Sequence, residues 1–119
     1  MQTATLRRAV VAPLLVAALG LAGCAADAPE VPLGPDGQPD PVLSLGRDVY
    51  ASRCSNCHGS SGGGGTGPRL AGTVEDTYPD PADQALVVTE GRRNMPSFGG
   101  TLSDEEIDAV VRYTREVLG

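Results

Sequence analysis

The chain has no lysine and no tryptophan, a single histidine, three cysteines and only four aromatic residues: Phe98, Tyr50, Tyr78 and Tyr113. Each shortage removes a class of function. Without lysine there is no lysine-rich docking ring. Fifteen acids against nine arginines, a net charge of −6, argue against nucleic-acid binding. The lone histidine, His58, rules out any site that needs two imidazoles. So few aromatics deprive a small domain of the side chains that usually fill its core.

What is present begins with a targeting segment. Arg7 and Arg8 form a positive start, and residues 9–21 are apolar but too short for a comfortable membrane span. The stretch closes on Leu21-Ala22-Gly23-Cys24, which resembles the lipobox of bacterial lipoproteins. Residues 1–23 are therefore expected to be a lipoprotein signal peptide that is removed, with Cys24 lipidated at the start of the mature chain. An uncleaved anchor helix, or an ordinary signal followed by a stray cysteine, is the competing reading. Removal leaves 96 residues with seven arginines against fifteen acids, a net −8. That is one small domain, and it buries too little apolar surface to be comfortably stable unaided. Residues 24–43 hold five prolines and four acids without periodicity, so an extended, flexible linker is expected there. At ~3.1 Å per residue it would reach on the order of 60 Å.

Within residues 44–119, Cys54-Ser55-Asn56-Cys57-His58 spells C-x-x-C-H. In an exported chain this pentapeptide reads as the covalent attachment site of a c-type haem. Each thiol can add to one vinyl group of the porphyrin, and the adjacent imidazole is then held against the iron as the proximal ligand. The rival chemistries each lack a part. A redox dithiol needs a βαβ context, and none is visible. Structural zinc needs four ligands, and only Cys54, Cys57 and His58 are near. With all three cysteines assigned, no disulfide is expected. The sixth iron ligand must be something other than histidine, and Met1 falls in the removed segment. Met95 is the remaining soft sulfur. It lies between two helical segments rather than on an apolar helix face, and Pro96 stiffens the loop that follows. A methionine that merely fills core volume is the bland alternative. Axial ligation by His58 and Met95 would suit an electron carrier, because a thioether favours ferrous iron.

The other signals are helical, and the expected fold class is all-α with three main helices and glycine-rich loops. Ser44 can N-cap a helix from Leu45 to about Ser55. Residues 59–72 hold seven glycines in fourteen positions, a loop long enough to wrap something functional. Asp80-Pro81 opens a second helix that Gly91 stops. Ser103 and Glu106 form a capping box for a last helix, whose apolar face is Ile107, Val110, Val111, Thr114 and Leu118.

The run Gly46-x-x-x-Tyr50-x-x-x-Cys54-x-x-Cys57-His58-Gly59 resembles the opening of class I, monohaem cytochromes c. Gly67-Pro68-x-Leu70, Met95-Pro96-x-Phe98 and Leu102-Ser103-Asp104-Glu105-Glu106-Ile107 resemble its later landmarks in the right order. The likeness covers residues 44–119 and is strongest to small bacterial c6-like and oxidase-associated domains. It implies a cytochrome c fold around one covalent haem c, with Pro68 offering its carbonyl to the second nitrogen of His58. It also implies that Gly46 and Tyr113 let the first and last helices cross closely. The Gly62–Gly65 run, the lack of lysine and the missing tryptophan depart from the pattern. Tyr78 and Arg69 are candidate propionate partners or plain surface-loop residues. The functional expectation is a membrane-tethered single-electron carrier, facing the periplasm or extracytoplasmic side, that serves redox protein partners. Arg92 and Arg93 are candidates for docking an acidic partner. A dedicated cytochrome subunit of a dehydrogenase or terminal oxidase is the alternative, whereas catalysis at the haem would need an open sixth site.

Overall fold

The computed structural model describes residues 28–119. The expected signal segment of residues 1–23, the expected lipidation site Cys24 and the first residues of the expected linker lie outside the described residues. Helix α1 (Pro41–Val49) runs into a π-helical segment (Tyr50–Cys54) and then α2 (Ser55–His58). Helices α3 (Val74–Thr77), α4 (Pro81–Glu90) and α5 (Asp104–Glu116) follow. Among the described residues strand pairing is limited to two isolated bridges, Leu33 with Pro39 and Arg92 with Met95. The all-α expectation stands. No described helix is long and apolar enough to cross a membrane.

Close crossing of α1 and α5 organises the domain. The capping box starts α5: Ser103 N donates to Glu106 Oε2 at 2.8 Å, and Glu106 N donates to Ser103 Oγ at 3.2 Å. The predicted face of Ile107, Val110, Val111, Thr114 and Leu118 is buried, together with Ala109 and Tyr113. Helix α1 meets that face at Gly46. A Cβ there would collide with the Ala109 carbonyl and stand 2.7 Å from Tyr113 Cβ, so only a hydrogen atom fits. Tyr50 and Tyr113 are fully buried beside this contact, with ring centroids 5.5 Å apart. Burial pushes the Tyr50 hydroxyl up to about 12 and moves the Tyr113 hydroxyl in the same direction. Helix α4 begins at Asp80-Pro81 and ends at Gly91 as its signals predict. It is fastened to α5 by a buried hydrogen bond from Gln84 Nε2 to Thr114 Oγ1 at 2.8 Å.

The N-terminal side departs from expectation. Ser44 is not a cap. Its hydroxyl donates to the Asp40 carbonyl from inside α1, while Asp40 Oδ1 accepts from Val42 N and Leu43 N. These bonds hold the Asp40 carboxyl below its ordinary range. The boundary drawn at residue 44 therefore falls inside a helix. Nor are residues 28–39 a free linker. Ala28 and Val31 are buried in the core cluster. Tyr113 OH donates to the Pro29 carbonyl at 2.9 Å, and Arg47 reaches the carbonyls of Ala28 and Pro29 and the Glu30 carboxylate. Proline-rich composition predicts extension, but residues 34–38 fold into a turn, with Gly34 N donating to Gln38 O at 2.7 Å. The segment's first residues lie across the helix crossing because donors on the buried Tyr113 and the half-buried Arg47 find acceptors in the Ala28 and Pro29 carbonyls.

Candidate haem site

The C-x-x-C-H turn is delivered by a change in helix type. Ser55 N donates to Tyr50 O, a five-residue step that places one extra residue in the turn ahead of Cys57 and His58. That insertion rotates the motif by roughly 100° relative to α1. Hydroxyls from Ser52 and Ser55 bond to the Asp48 and Ala51 carbonyls, at 2.8 and 2.7 Å, within the altered turn. Tyr50 OH donates to Gly59 O at 2.6 Å and so ties the end of the motif to the helix crossing. Gly59, with φ of 82°, then turns the chain into the glycine loop.

That loop closes on the imidazole. Gly64 N donates to His58 O at 2.7 Å and Gly67 N to Cys57 O at 2.8 Å. His58 is buried, and its Nδ1 lies 2.8 Å from the Pro68 carbonyl. A carbonyl can only accept, so Nδ1 carries the proton and Nε2 is left with its lone pair, the form a metal needs. Among the described residues Nε2 makes no hydrogen bond. The ring is also gripped sterically, since a Cβ on Gly67 would stand 2.9 Å from His58 Cε1.

The cysteines differ in setting. Cys54 is partly buried against the core cluster and Cys57 is exposed, and both are free of disulfides. Burial, and secondarily the neighbouring Cys57, pushes the Cys54 thiol up to about 11. A redox dithiol has the opposite shift. Among the described residues no three histidine, cysteine or acidic side chains gather to hold a metal ion, so zinc lacks its ligands. Leu70, Val88 and Phe98 pack against the core yet stay partly exposed, which leaves apolar surface for a porphyrin to cover. An oriented lone pair, two free thiols and uncovered apolar side chains fit a covalent haem.

Met95 comes from a separate loop. Arg92 and Met95 exchange backbone hydrogen bonds of 3.2 and 3.0 Å around a tight turn in which Arg93 takes a left-handed φ of 56°. Ser97 Oγ and Gly99 N bond to Thr89 O, and Phe98 N to Val88 O, so the loop folds back along the end of α4. Among the described residues no hydrogen bond joins this loop to residues 54–59. Arg92 Nη1 donates to Tyr78 OH at 2.9 Å, and Arg69 Nε to the Ala71 carbonyl at 2.8 Å. The π-helical turn and the Arg92–Tyr78 contact had no signal in the sequence.

Comparison with known proteins agrees with this geometry. The family model for cytochrome C oxidase, cbb3-type, subunit III matches residues 41–113. Cytochrome c6 of Leptolyngbya boryana is 35% identical over 78 residues, covering 59% of this chain and 86% of the relative. The solved cytochrome c6 of the diatom Phaeodactylum tricornutum is 32% identical with a TM-score of 0.54, over 60% of this chain and 88% of that one. A dihydro-heme d1 dehydrogenase, NirN, is 35% identical with a TM-score of 0.55, but the chain spans only 15% of that larger protein. The chain belongs to the cytochrome c family, whose members carry one covalent c-type haem, and Cys54 and Cys57 supply its attachment motif here. It is an electron carrier rather than an enzyme.

Proposed function

We propose that the protein is a lipid-anchored, extracytoplasmic single-electron carrier with histidine–methionine ligation. Cys54 and Cys57 would hold the porphyrin through thioethers, His58 Nε2 and the Met95 sulfur would ligate its iron, and Cys24 would carry the lipid. A bound haem supplies a one-electron couple at its iron. The chain's own residues do the rest. Pro68 fixes the imidazole tautomer and makes the ring a stronger donor through the 2.8 Å hydrogen bond. The paired turn at Arg92 and Met95, continued by Pro96, presents the thioether at little entropic cost. With His58 and Met95 both on the iron, no substrate would reach the metal. The orientation of His58 by Pro68 and Gly67 is the observation that carries this reading.

Partner recognition follows from where the arginines lie. Arg47, Arg112 and Arg115 pair with carboxylates on the helical side. Arg53, Arg69, Arg92 and Arg93 have no carboxylate partner among the described residues. They sit in residues 49–74 and 91–103, segments that contain no acid and provide Cys54, Cys57, His58, Pro68 and Met95. The site side of an acidic protein is thus basic. Arg92 and Arg93 would steer an acidic redox protein to the haem.

Optical redox titration of wild type and Met95→Ala, with and without carbon monoxide, tests the ligation. The variant should bind carbon monoxide and titrate at a lower potential, because a ferrous-favouring sulfur has gone. Carbon monoxide binding already present in wild type, with an unchanged potential in the variant, would remove Met95 from the iron. Cys24→Ser should release the protein from membranes with its visible spectrum intact. The match to an oxidase subunit family favours a second reading, in which the domain serves one membrane complex. A partner that co-purifies through a high-salt wash would support it.

A further inference from the structure

The segment ahead of the family match does more than link. Residues 28–31 are fixed on the helix crossing by the bonds to Tyr113 and Arg47. Beyond them the chain makes a compact loop closed by Gly34 N to Gln38 O at 2.7 Å, Gly37 N to Gly34 O at 2.9 Å and Gln38 N to Asp36 Oδ1 at 3.1 Å. This self-bonded loop presents Leu33 at 67% exposure between the exposed Pro32 and Pro35. Of the three large apolar residues left exposed among the described residues, Leu33 and Val42 belong to this N-terminal end. An apolar side chain held outward on a braced loop is poorly placed in water.

The length of chain ahead of the segment says what covers it. Three residues separate Cys24 from Ala28. Fully extended, they let Ala28 lie no more than about 14 Å from Cys24, in place of the long reach that a free linker would give. We propose that residues 28–39 seat the domain directly on the lipid bilayer, with Leu33 and its flanking prolines entering the interface beside the N-terminal lipid. This rests on the lipid anchor proposed above. One buried leucine would be a weak ligand for a membrane by itself. Tethered within a few residues of an acyl chain, it acts at high effective concentration and supplies the second anchoring signal. Of the carboxylates nearest the loop, Glu30 pairs with Arg47, and Asp36 accepts from Gln38 N in its own backbone turn. The domain is then held in one orientation, and the layer its haem can sample is thin. A partner must present its own redox centre close to the same surface.

Linear dichroism of the haem Soret band in oriented lipid multilayers, measured on the full lipidated holoprotein, tests this directly. Wild type should be dichroic. Leu33→Asp should lose that dichroism while remaining in the membrane fraction with an unchanged solution spectrum. A Gly/Ser spacer inserted between Asp27 and Ala28 should weaken it while leaving Leu33 in place. Wild-type protein that stays membrane-bound but isotropic would overturn the seating and leave the anchor standing. Equal dichroism in all three proteins would also overturn it. Recovery of the wild type in the soluble fraction would overturn anchor and seating together.

Discussion

The helix crossing and the loops around the C-x-x-C-H turn are held by different means. At the crossing, side chains decide: Gly46 admits α5, and Tyr50, Tyr113, Ile107 and Val110 are buried against one another. Around the motif, backbone decides: residues 59–72 are fixed by main-chain hydrogen bonds such as Gly64 N to His58 O and Leu70 N to Gly62 O, and contribute no large buried side chain. Hydrogen bonds of that kind contribute only about 1 kcal/mol each against ordering that costs ~1–2 kcal/mol per residue. A packed helix pair can persist on its own contacts. A glycine loop needs something to close on, and a bound haem would fill that place.

Substituting a glycine on each side sharpens the contrast. Gly46→Val should have the largest effect, because the obstruction is backbone and α5 cannot yield without leaving the core. We expect a loss of ~3 kcal/mol or more, enough to abolish accumulation of holoprotein in a marginally stable domain. Gly67→Ala presses on the His58 ring and should cost ~1–3 kcal/mol. Its signature differs: a displaced imidazole should shift the reduction potential, read by optical titration alongside thermal unfolding. Tyr50 links the two regions. Tyr50→Phe loses the bond to Gly59 O, worth ~1 kcal/mol. Its raised folded pKa adds a pH test. A neutral buried phenol stabilises the fold fully below the unfolded value near 10, and that contribution disappears as pH rises toward about 12. Wild type should therefore lose stability across this alkaline window, and Tyr50→Phe should lose less. Tyr113, raised as well, would account for what remains. The smallest effect has the opposite sign. Arg93→Gly relieves a left-handed residue and should stabilise the holoprotein by ~0.5–1 kcal/mol, while electron transfer with an acidic partner slows.

The sequence made the two regions legible to different degrees. Helix α5 was readable because its capping box and its apolar spacing agree. Helix α4 was readable because Asp80-Pro81 and Gly91 bracket it. The same dipeptide signal stands at Asp40-Pro41, yet the surrounding prolines suggest an extended chain, and the expected helix start at Leu45 falls four residues late. Composition averages over a segment, whereas a cap is one residue making two bonds. The strap of residues 28–39 was illegible for another reason. Its stability comes from Arg47 and Tyr113, far along the chain, and no local pattern announces an acceptor carbonyl. The motif residues were plain from spacing alone. The π-helical turn that aims them was not, because a five-residue hydrogen bond leaves no mark on periodicity over so short a stretch.

Amide hydrogen exchange on the holoprotein and on the haem-free Cys54→Ala/Cys57→Ala chain tests the central claim most directly, namely that the haem completes the loop side of this domain. The holoprotein should protect amides on both sides, including Gly64, Gly67 and Leu70. In the haem-free chain those loop amides should exchange at once, while amides of α5 from Ala109 to Tyr113 keep a measurable delay. Loop protection that survives without haem, equal to that of α5, would contradict the account.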